Sequence, residues 1–227
     1  MKYFKTMMML LTLVAVYSGA CGQHHVGIRA NAGISRISNS IYTNPSVQKM
    51  QFLPLARGGL FYQKDLNAGS FVGGDLLYLK IKGKDHDLTE ATDENGNPAG
   101  TIRHEMWKEI SYLGLPLYYG LKTGDLTITF GVQLSFALNS SGRAKSTMLS
   151  ETEYVIIENR YTSLNIDQLD FGPRAGVAYE ILPRLSLEAE LYAGMNNIVD
   201  NEGEGDLYWR IQQASFGLRY TLYTISE

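Results

Sequence analysis

The chain is poor in cysteine and proline, and it has no long apolar run beyond its first residues. Its one cysteine, Cys21, has no partner for an internal disulfide. Six prolines in 227 residues and no low-complexity stretch argue against disorder. After residue 22, no segment approaches the ~20 consecutive apolar residues of a transmembrane helix. A net charge of -3 gives no electrostatic support for bulk nucleic-acid binding.

The N-terminal residues have the pattern of a secretory signal. Two early lysines precede a short apolar run at 7–16 and a zone of small residues. We therefore predict a signal peptide over 1–22, with cleavage after Gly22, and one mature domain over 23–227. Cleavage before Cys21 stays an alternative, and so does lipidation of that residue.

The mature chain alternates apolar and polar residues in eight long segments. This period of two predicts strands. Short and long links alternate, which places every second hairpin on one side of a membrane. We predict an all-β fold, an eight-stranded antiparallel up-and-down transmembrane β-barrel with both termini periplasmic. The segments are 26–37, 52–64, 69–82, 108–122, 125–139, 163–181, 184–196 and 208–224. The short turns are 64–68, 123–124 and 182–183, and the polar loops are 38–51, 83–107, 140–162 and 197–207.

One face of the segments is apolar, and the other is polar and rich in glycine. A soluble lipocalin-like barrel would bury the apolar face, whereas a membrane barrel turns it toward lipid. Lipid is favoured because glycines suit a crowded lumen and because tyrosines stand beside the short turns or the C-terminus, where amphipathic rings meet headgroups. These tyrosines are Tyr62, Tyr119, Tyr179 and Tyr220. The glycines are Gly27, Gly33, Gly59, Gly114, Gly131, Gly172, Gly176 and Gly217.

Eight charged side chains fall on the polar face. An eight-stranded barrel is only wide enough to be filled with side chains, and unpaired charge there is costly. We predict that the charges pair and close the lumen; a proton or ion path through them is the alternative. The eight are Arg29, Arg57, Arg174, Arg219, Asp75, Glu180, Glu188 and Glu190.

Three segments resemble a known family. The sequence YLGLPL at 112–117 resembles the YLEIPL segment of PorT-like outer-membrane β-barrel proteins, with Gly114 in place of an acidic residue. The sequences DFGPRAG at 170–176 and YAGMNNI at 192–198 resemble two further strands of that family. The resemblance covers nearly the whole mature chain, most specifically 110–222. It implies a non-enzymatic outer-membrane barrel that supports protein secretion or envelope assembly.

Residues 215–222 resemble the C-terminal signal read by the outer-membrane barrel-assembly machinery, although five residues follow them. The resemblance implies a Gram-negative bacterium and a location in the cell outer membrane. The predicted partners are outer-membrane lipid and lipopolysaccharide, the assembly machinery during insertion, and an envelope protein; nucleic acid is not expected.

Within the fourth predicted segment, 108–122, Pro116 lacks a ladder donor and predicts a bulge or a local break in pairing.

No constellation of residues indicates catalysis, so we predict no catalytic, cofactor-binding or metal-binding residue. His86 and His104, in a long loop with acidic neighbours, leave an outer-membrane hydrolase as an alternative. Residues 93–98 resemble a calcium loop, but an Asn-Gly hairpin tip explains them better. The acidic loop 200–206 is a weaker candidate for divalent cations or lipopolysaccharide.

Residues 154–157 are apolar and predict a strand edge beyond the membrane, to which a partner strand could pair. A structural or adhesin-like surface barrel, whose loops bind external ligands, is the alternative to a role in secretion.

Overall fold

The computed structural model describes residues 22–40, 49–67, 69–92, 98–149, 154–164, 166–198 and 208–226. Residues 1–21 of the predicted signal peptide, residues 93–97 of the predicted hairpin tip and the predicted acidic loop 200–206 lie outside them. The strands are β1 (Gln23–Ser40), β2 (Lys49–Gln51), β3 (Leu53–Asn67), β4 (Ser70–Thr92), β5 (Pro98–Thr123), β6 (Leu126–Leu149), β7 (Tyr154–Tyr161), β8 (Leu169–Leu182), β9 (Leu185–Ala193) and β10 (Tyr208–Ser226).

Eight of these strands close into a ring in which every neighbouring pair is antiparallel. The order is β1-β3-β4-β5-β6-β8-β9-β10, and β10 pairs with β1 from Gln23↔Ser226 to Ser40↔Tyr208. The predicted fold class is confirmed. The two extra strands pair outside the ring, β2 with β4 and β7 with β6. Across the described ranges, no helix is long and apolar enough to span a membrane.

The predicted loops at 83–107 and 140–162 are wrong for most of their length. Strand β4 continues to Thr92 and pairs with β5 from Pro98 onward, and β6 continues to Leu149. Apolar alternation fades there because the outer face of the sheet no longer contacts lipid, so pairing relies on polar cross-strand contacts. One such contact joins Lys84 Nζ and Glu105 Oε1 over 3.0 Å. The three short turns occur near their predicted positions.

The outer wall of the ring carries the apolar set. The four predicted tyrosines are all exposed close to the turn end of the barrel, with exposures between 42% and 51%. The outward apolar band extends from them to Tyr78 on β4 and Leu113 on β5, which pair with each other. This arrangement excludes the lipocalin-like alternative, which needs the apolar face inside.

The predicted irregularity at Pro116 is confirmed on one side of β5. The β4–β5 ladder passes from Gly74↔Leu117 directly to Leu77↔Gly114, so pairing is omitted opposite the proline. On the other side, Pro116 stays in register with Gln133 of β6. The omitted stretch of β4 contains Asp75, whose side chain turns into the lumen.

Candidate functional site

The lumen nearest the turns is filled by an ionic layer centred on Arg29. Its Nη1 contacts Asp75, and its Nη2 lies 2.5 Å from Glu188 Oε1 and 2.6 Å from Glu190 Oε1. All four of these side chains are at most 5% exposed. Asn31 Nδ2 also donates to Glu188 Oε1 over 2.8 Å. Such close pairing offsets the large cost of burying each charge.

Two further arginines complete the layer. Arg57 and Arg174 both form ion pairs with Glu190. Arg174 Nη1 also donates to Asp75 Oδ2 over 3.0 Å, and Tyr118 donates its hydroxyl hydrogen to Asp75 Oδ1 over 2.8 Å. Asp75 therefore accepts bonds from β1, β5 and β8 and ties three strands together across the lumen.

All eight predicted charges face the lumen, but two of them lie outside the ionic layer. Glu180 is at the turn end, where Lys122 Nζ lies 3.2 Å from its Oε2 and its side chain is 34% exposed. Arg219 lies nearer the ionic layer, with its guanidinium carbon 3.8 Å from the centre of the Phe61 ring and one nitrogen 2.9 Å from Gln63 Oε1. The predicted four-and-four balance is thus wrong in detail, because three acids serve three arginines and Arg219 uses an aromatic face.

Little space remains among the charges. The gap lined by Arg29, Tyr118, Arg174 and Arg219 measures about 10 Å³, roughly the minimum that holds one water molecule. We infer that this layer closes the lumen to solutes.

A second, apolar layer fills the lumen on the extracellular side of the charges. The sequence predicted a polar interior, and that prediction is wrong here, because the inward residues of β4 change from Asp75 to leucine and isoleucine. The layer consists of Ile37, Leu55, Leu77, Leu79, Ile81, Ile110, Tyr112, Leu164, Tyr192, Ile198, Trp209 and Ile211.

One buried ion pair covers the apolar layer beyond the membrane band. Lys108 Nζ lies 2.5 Å from Asp85 Oδ2 and 3.6 Å from the centre of the Trp209 ring. Burial lowers the pKa of Lys108 below its ordinary value, and the nearby Asp85 carboxylate opposes that shift. The pair and the indole close the extracellular end of the lumen in this region.

The residues that carry the family resemblance build this extracellular closure. Tyr192 donates its hydroxyl hydrogen to Asp170 Oδ2 over 2.7 Å. Asn196 accepts from the Phe171 amide at the start of β8, and Asn197 accepts from the Trp209 amide at the start of β10. In the structure these hydrogen bonds fix the ends of the strands.

Strands β4, β5, β6 and β7 continue beyond the barrel as an extracellular sheet. Strand β7 pairs with β6 from Gly142↔Tyr161 to Leu149↔Tyr154, and in the part of the chain that is described it pairs with no other strand. Ile156 and Ile157 are 59% and 57% exposed. The predicted extramembrane strand is thus found, with one edge open and apolar residues on both of its faces.

The two loop histidines lie in this sheet. His104 Nδ1 is 2.8 Å from Ser146 Oγ across the β5–β6 pair, and Asp87 is opposite His104 in the register with β4. His86 is opposite Glu105 in the same register. Within the described ranges, no group of three or more His, Cys, Asp or Glu side chains is placed to hold a metal ion.

Sequence reasoning overlooked a row of outward cations on β4. Lys80, Lys82 and Lys84 alternate with inward residues directly after Tyr78. Their signal was a strand pattern whose outward residues change from apolar to basic. Lys80 and Lys82 fall at the end of the predicted segment 69–82, and only Lys84 falls in the predicted loop 83–107.

The closed ring, apolar outer wall and filled lumen define an integral outer-membrane β-barrel protein. The predicted location in the outer membrane follows from that wall.

Several solved structures of outer-membrane proteins are similar to the chain. Neisserial surface protein A is 13% identical with a TM-score of 0.44, covering 88% of this chain and 99% of that one. Ail, the attachment invasion locus protein of Yersinia pestis, is 11% identical with a TM-score of 0.38, covering 89% and 100%. The outer membrane protease OmpT of Escherichia coli is 11% identical with a TM-score of 0.37, covering 88% and 95%. No family model and no curated protein matches the chain. The resemblance to PorT-like proteins therefore stays a prediction.

Proposed function

We propose that this protein is a non-enzymatic outer-membrane barrel that binds a protein partner by strand addition at β7, in support of protein secretion or envelope assembly. The open edge of β7 carries the proposal. An unpaired edge presents a row of backbone donors and acceptors to an incoming strand. The PorT-like resemblance supplies the cellular role.

The filled lumen supports a role in docking rather than transport. Three arginines and three carboxylates occupy the ionic layer, and an apolar layer lies beyond it. A partner therefore meets this protein at its surface, where the extracellular sheet extends farthest from the membrane.

The partner strand is expected to lie antiparallel or parallel to β7 and to contact exposed Ile156 and Ile157. Natural edge strands are commonly protected by charges such as lysine. In β7 the charged residues Glu158 and Arg160 pair with each other, with Arg160 Nε 3.1 Å from Glu158 Oε1. The isoleucine half of the edge has no such pair among the contacts described.

The test is photo-crosslinking in intact cells from a photoreactive residue at Asn159, followed by capture through a C-terminal tag and mass spectrometry. We expect one near-stoichiometric envelope protein. A probe at Asp125, in the turn at the other end of the barrel, is the control. Recovery of only the barrel and lipid would reject a secretion or assembly complex.

A matched pair of variants tests the edge itself. Ile157→Lys adds a charge to the open edge and should reduce the crosslink severalfold. Thr147→Lys adds the same charge on the neighbouring strand β6, where Thr147 is opposite Ile156, and should leave the crosslink unchanged. Equal yields from the two variants would reject strand addition at β7.

An adhesin-like barrel is the second candidate, and the same open edge favours it. The two proposals differ in the origin of the partner: an adhesin would crosslink to a host or surface molecule added from outside, and not to an envelope protein.

A hydrolase is the third candidate, because His104 and Ser146 are within hydrogen-bonding distance. It predicts turnover of lipid or peptide substrates that Ser146→Ala and His104→Ala abolish with the barrel intact.

A further inference from the structure

The outer wall changes from apolar to basic where β4 leaves the lipid. Leu76 and Tyr78 face outward and are 45% and 53% exposed, and Lys80, Lys82 and Lys84 follow at every second residue on the same face. A strand rises ~3.3 Å per residue, so Lys80 and Lys82 stand roughly 7 and 13 Å beyond Tyr78 along the strand. The headgroup region adds roughly 5–8 Å to each side of the hydrocarbon core. These lysines therefore stand at and just beyond headgroup depth.

The neighbouring strands continue this surface. Lys84 is opposite Trp107 of β5, Trp107 is opposite Arg143 of β6, and Arg143 is opposite Arg160 of β7. Lys84 Nζ lies 4.7 Å from the centre of the Trp107 ring, and the Arg143 guanidinium lies 5.4 Å from it. We call this surface the basic wall, defined as Lys80, Lys82, Lys84, Trp107, Arg143 and Arg160.

The cations of the basic wall outnumber the carboxylates that pair with them. Five cations share Glu105, Glu109 and Glu158. The hydrogen bond from Arg143 lowers the pKa of Glu158, and the one from Lys84 lowers the pKa of Glu105. These carboxylates therefore stay charged at neutral pH, and the wall keeps a net positive charge of two.

Two of the five cations are the most open to a second anion. Lys80 Nζ is 2.6 Å from Glu109 Oε1, whereas Lys82 Nζ is 3.6 Å from the other oxygen. Glu158 accepts its shorter hydrogen bond from Arg143. Arg160 Nε lies 3.1 Å from Glu158 Oε1, and the Arg160 side chain is 79% exposed. Lys82 and Arg160 are thus free to turn toward an incoming group at little cost to the existing pairs.

A depression of about 480 Å³ connects these two cations. Lys82, Trp107, Arg143 and Arg160 line it, together with Glu109, the carboxylate that pairs with Lys82. Gly83 also borders it, and the inward side of Gly83 is filled by Ile37, with a Cβ position only 3.0 Å from that side chain. The depression therefore opens on the outer wall, toward the lipid leaflet.

We propose that the basic wall binds the phosphate groups of a phosphorylated glycolipid of the outer leaflet, with lipopolysaccharide as its source and with Lys82 and Arg160 as the principal contacts. The arginine fork matches phosphate oxygens in pairs, and lysine supplies a compact charge. A lipid fits better than a free anion, because its acyl chains would lie along Leu76 and Tyr78 directly below. Lipid binding at this site does not require partner binding at the β7 edge, although Arg160 lies on that strand.

The test measures binding of bisphosphorylated lipid A to the folded full-length barrel in detergent, by native mass spectrometry and isothermal titration. The double variant Lys82→Gln/Arg160→Gln keeps the Lys80–Glu109 and Arg143–Glu158 pairs. We expect its affinity to fall about tenfold or more, since a charge-assisted hydrogen bond contributes about 1.5 kcal/mol or more and about 1.4 kcal/mol is tenfold. The control Lys122→Gln/Arg184→Gln removes the same charge at the turn end and should bind like the unmodified protein.

Two further arms separate the sources of phosphate. Dephosphorylated lipid A should bind the unmodified protein about as weakly as the phosphorylated lipid binds the wall variant. Comparing the two lipids on the unmodified protein does not depend on the folding of any variant. Inorganic phosphate at the concentration of the lipid should not displace it. Equal affinity of the wall variant and the unmodified protein, equal binding of the two lipids, or displacement by phosphate would each overturn the proposal.

Discussion

Tyr118 donates its hydroxyl hydrogen to Asp75 Oδ1 over 2.8 Å, while its ring lies against Gly73, two residues before that aspartate. A Cβ on Gly73 would stand 2.5 Å from the ring edge. The absence of a side chain at Gly73 thus sets the position of the ring, and the ring helps to orient the carboxylate that Arg29 and Arg174 share.

Gly73→Ala should lower the free energy of unfolding by about 1–3 kcal/mol, because the ring must shift within a filled lumen. Gly58→Ala is the matched control: its Cβ would have 3.4 Å to the nearest atom, which is ordinary contact. Urea unfolding in lipid vesicles, followed by heat-modifiable gel migration, measures both. A loss no greater than that of the control would contradict the tight contact.

Asp75→Asn should destabilise the barrel by about 3–5 kcal/mol, because Arg29 and Arg174 would keep their buried charge after losing a partner. Asp125→Asn, in an exposed turn, should change the free energy of unfolding by less than about 0.5 kcal/mol. The same unfolding assay applies. Similar small effects at both positions would mean that water reaches the ionic layer.

The unmodified protein should form no stable channels in planar bilayers near neutral pH. The ionic layer leaves a gap of about 10 Å³ and the apolar layer fills the lumen beyond it. Stable conductance steps, reproduced by protein that migrates as a folded band, would show that the lumen opens and would revive the ion-path alternative.

Asp85→Leu alone should be destabilising, because it leaves the Lys108 charge buried without its partner. Asp85→Leu combined with Lys108→Met should be close to neutral or stabilising, because apolar side chains can replace both members of a buried ion pair. In the single variant, the pKa of Lys108 falls further below its unfolded value of about 10.4. The unfolded chain then binds more protons than the folded one, so stability rises as pH increases toward that value.

Unfolding free energies of the single and the double variant between about pH 8 and 10 test this relation. The single variant should recover stability with increasing pH, and the double variant should not. Parallel profiles would show that Lys108 is solvated once its partner is removed.

The ring of eight strands was predictable because the lipid enforces strict alternation over the membrane-spanning stretches. Tyr62 and its three counterparts are exposed near the turn end as predicted, because amphipathic rings favour the level of the headgroups. Beyond the lipid, that constraint ends: residues 83–92 pair through polar contacts such as Lys84 with Glu105, which period-two hydrophobicity does not register.

The contents of the lumen were harder to predict, because they depend on which side chains meet across the ring. Alternation placed Arg219 and Glu180 on the inward face, and both are there. Their height along the strands decides that Glu180 joins Lys122 at the mouth while Arg219 covers Phe61. The prediction that the inward face is polar is wrong at Leu77, Leu79 and Ile81, because apolar packing fills this part of the lumen.

The pairing of β1 with β10 has a consequence for the order of assembly. Gln23 and Ser226 are neighbours in the ladder although about 200 residues separate them in the chain, so this seam has the largest loop-closure entropy of the ring. Hairpins such as β5–β6 have short loops and can form early, whereas the seam needs both ends of the chain. Closure therefore has to wait until the whole chain has been delivered to the membrane, and a polypeptide cut short within β10 would remain an open sheet with two unpaired edges.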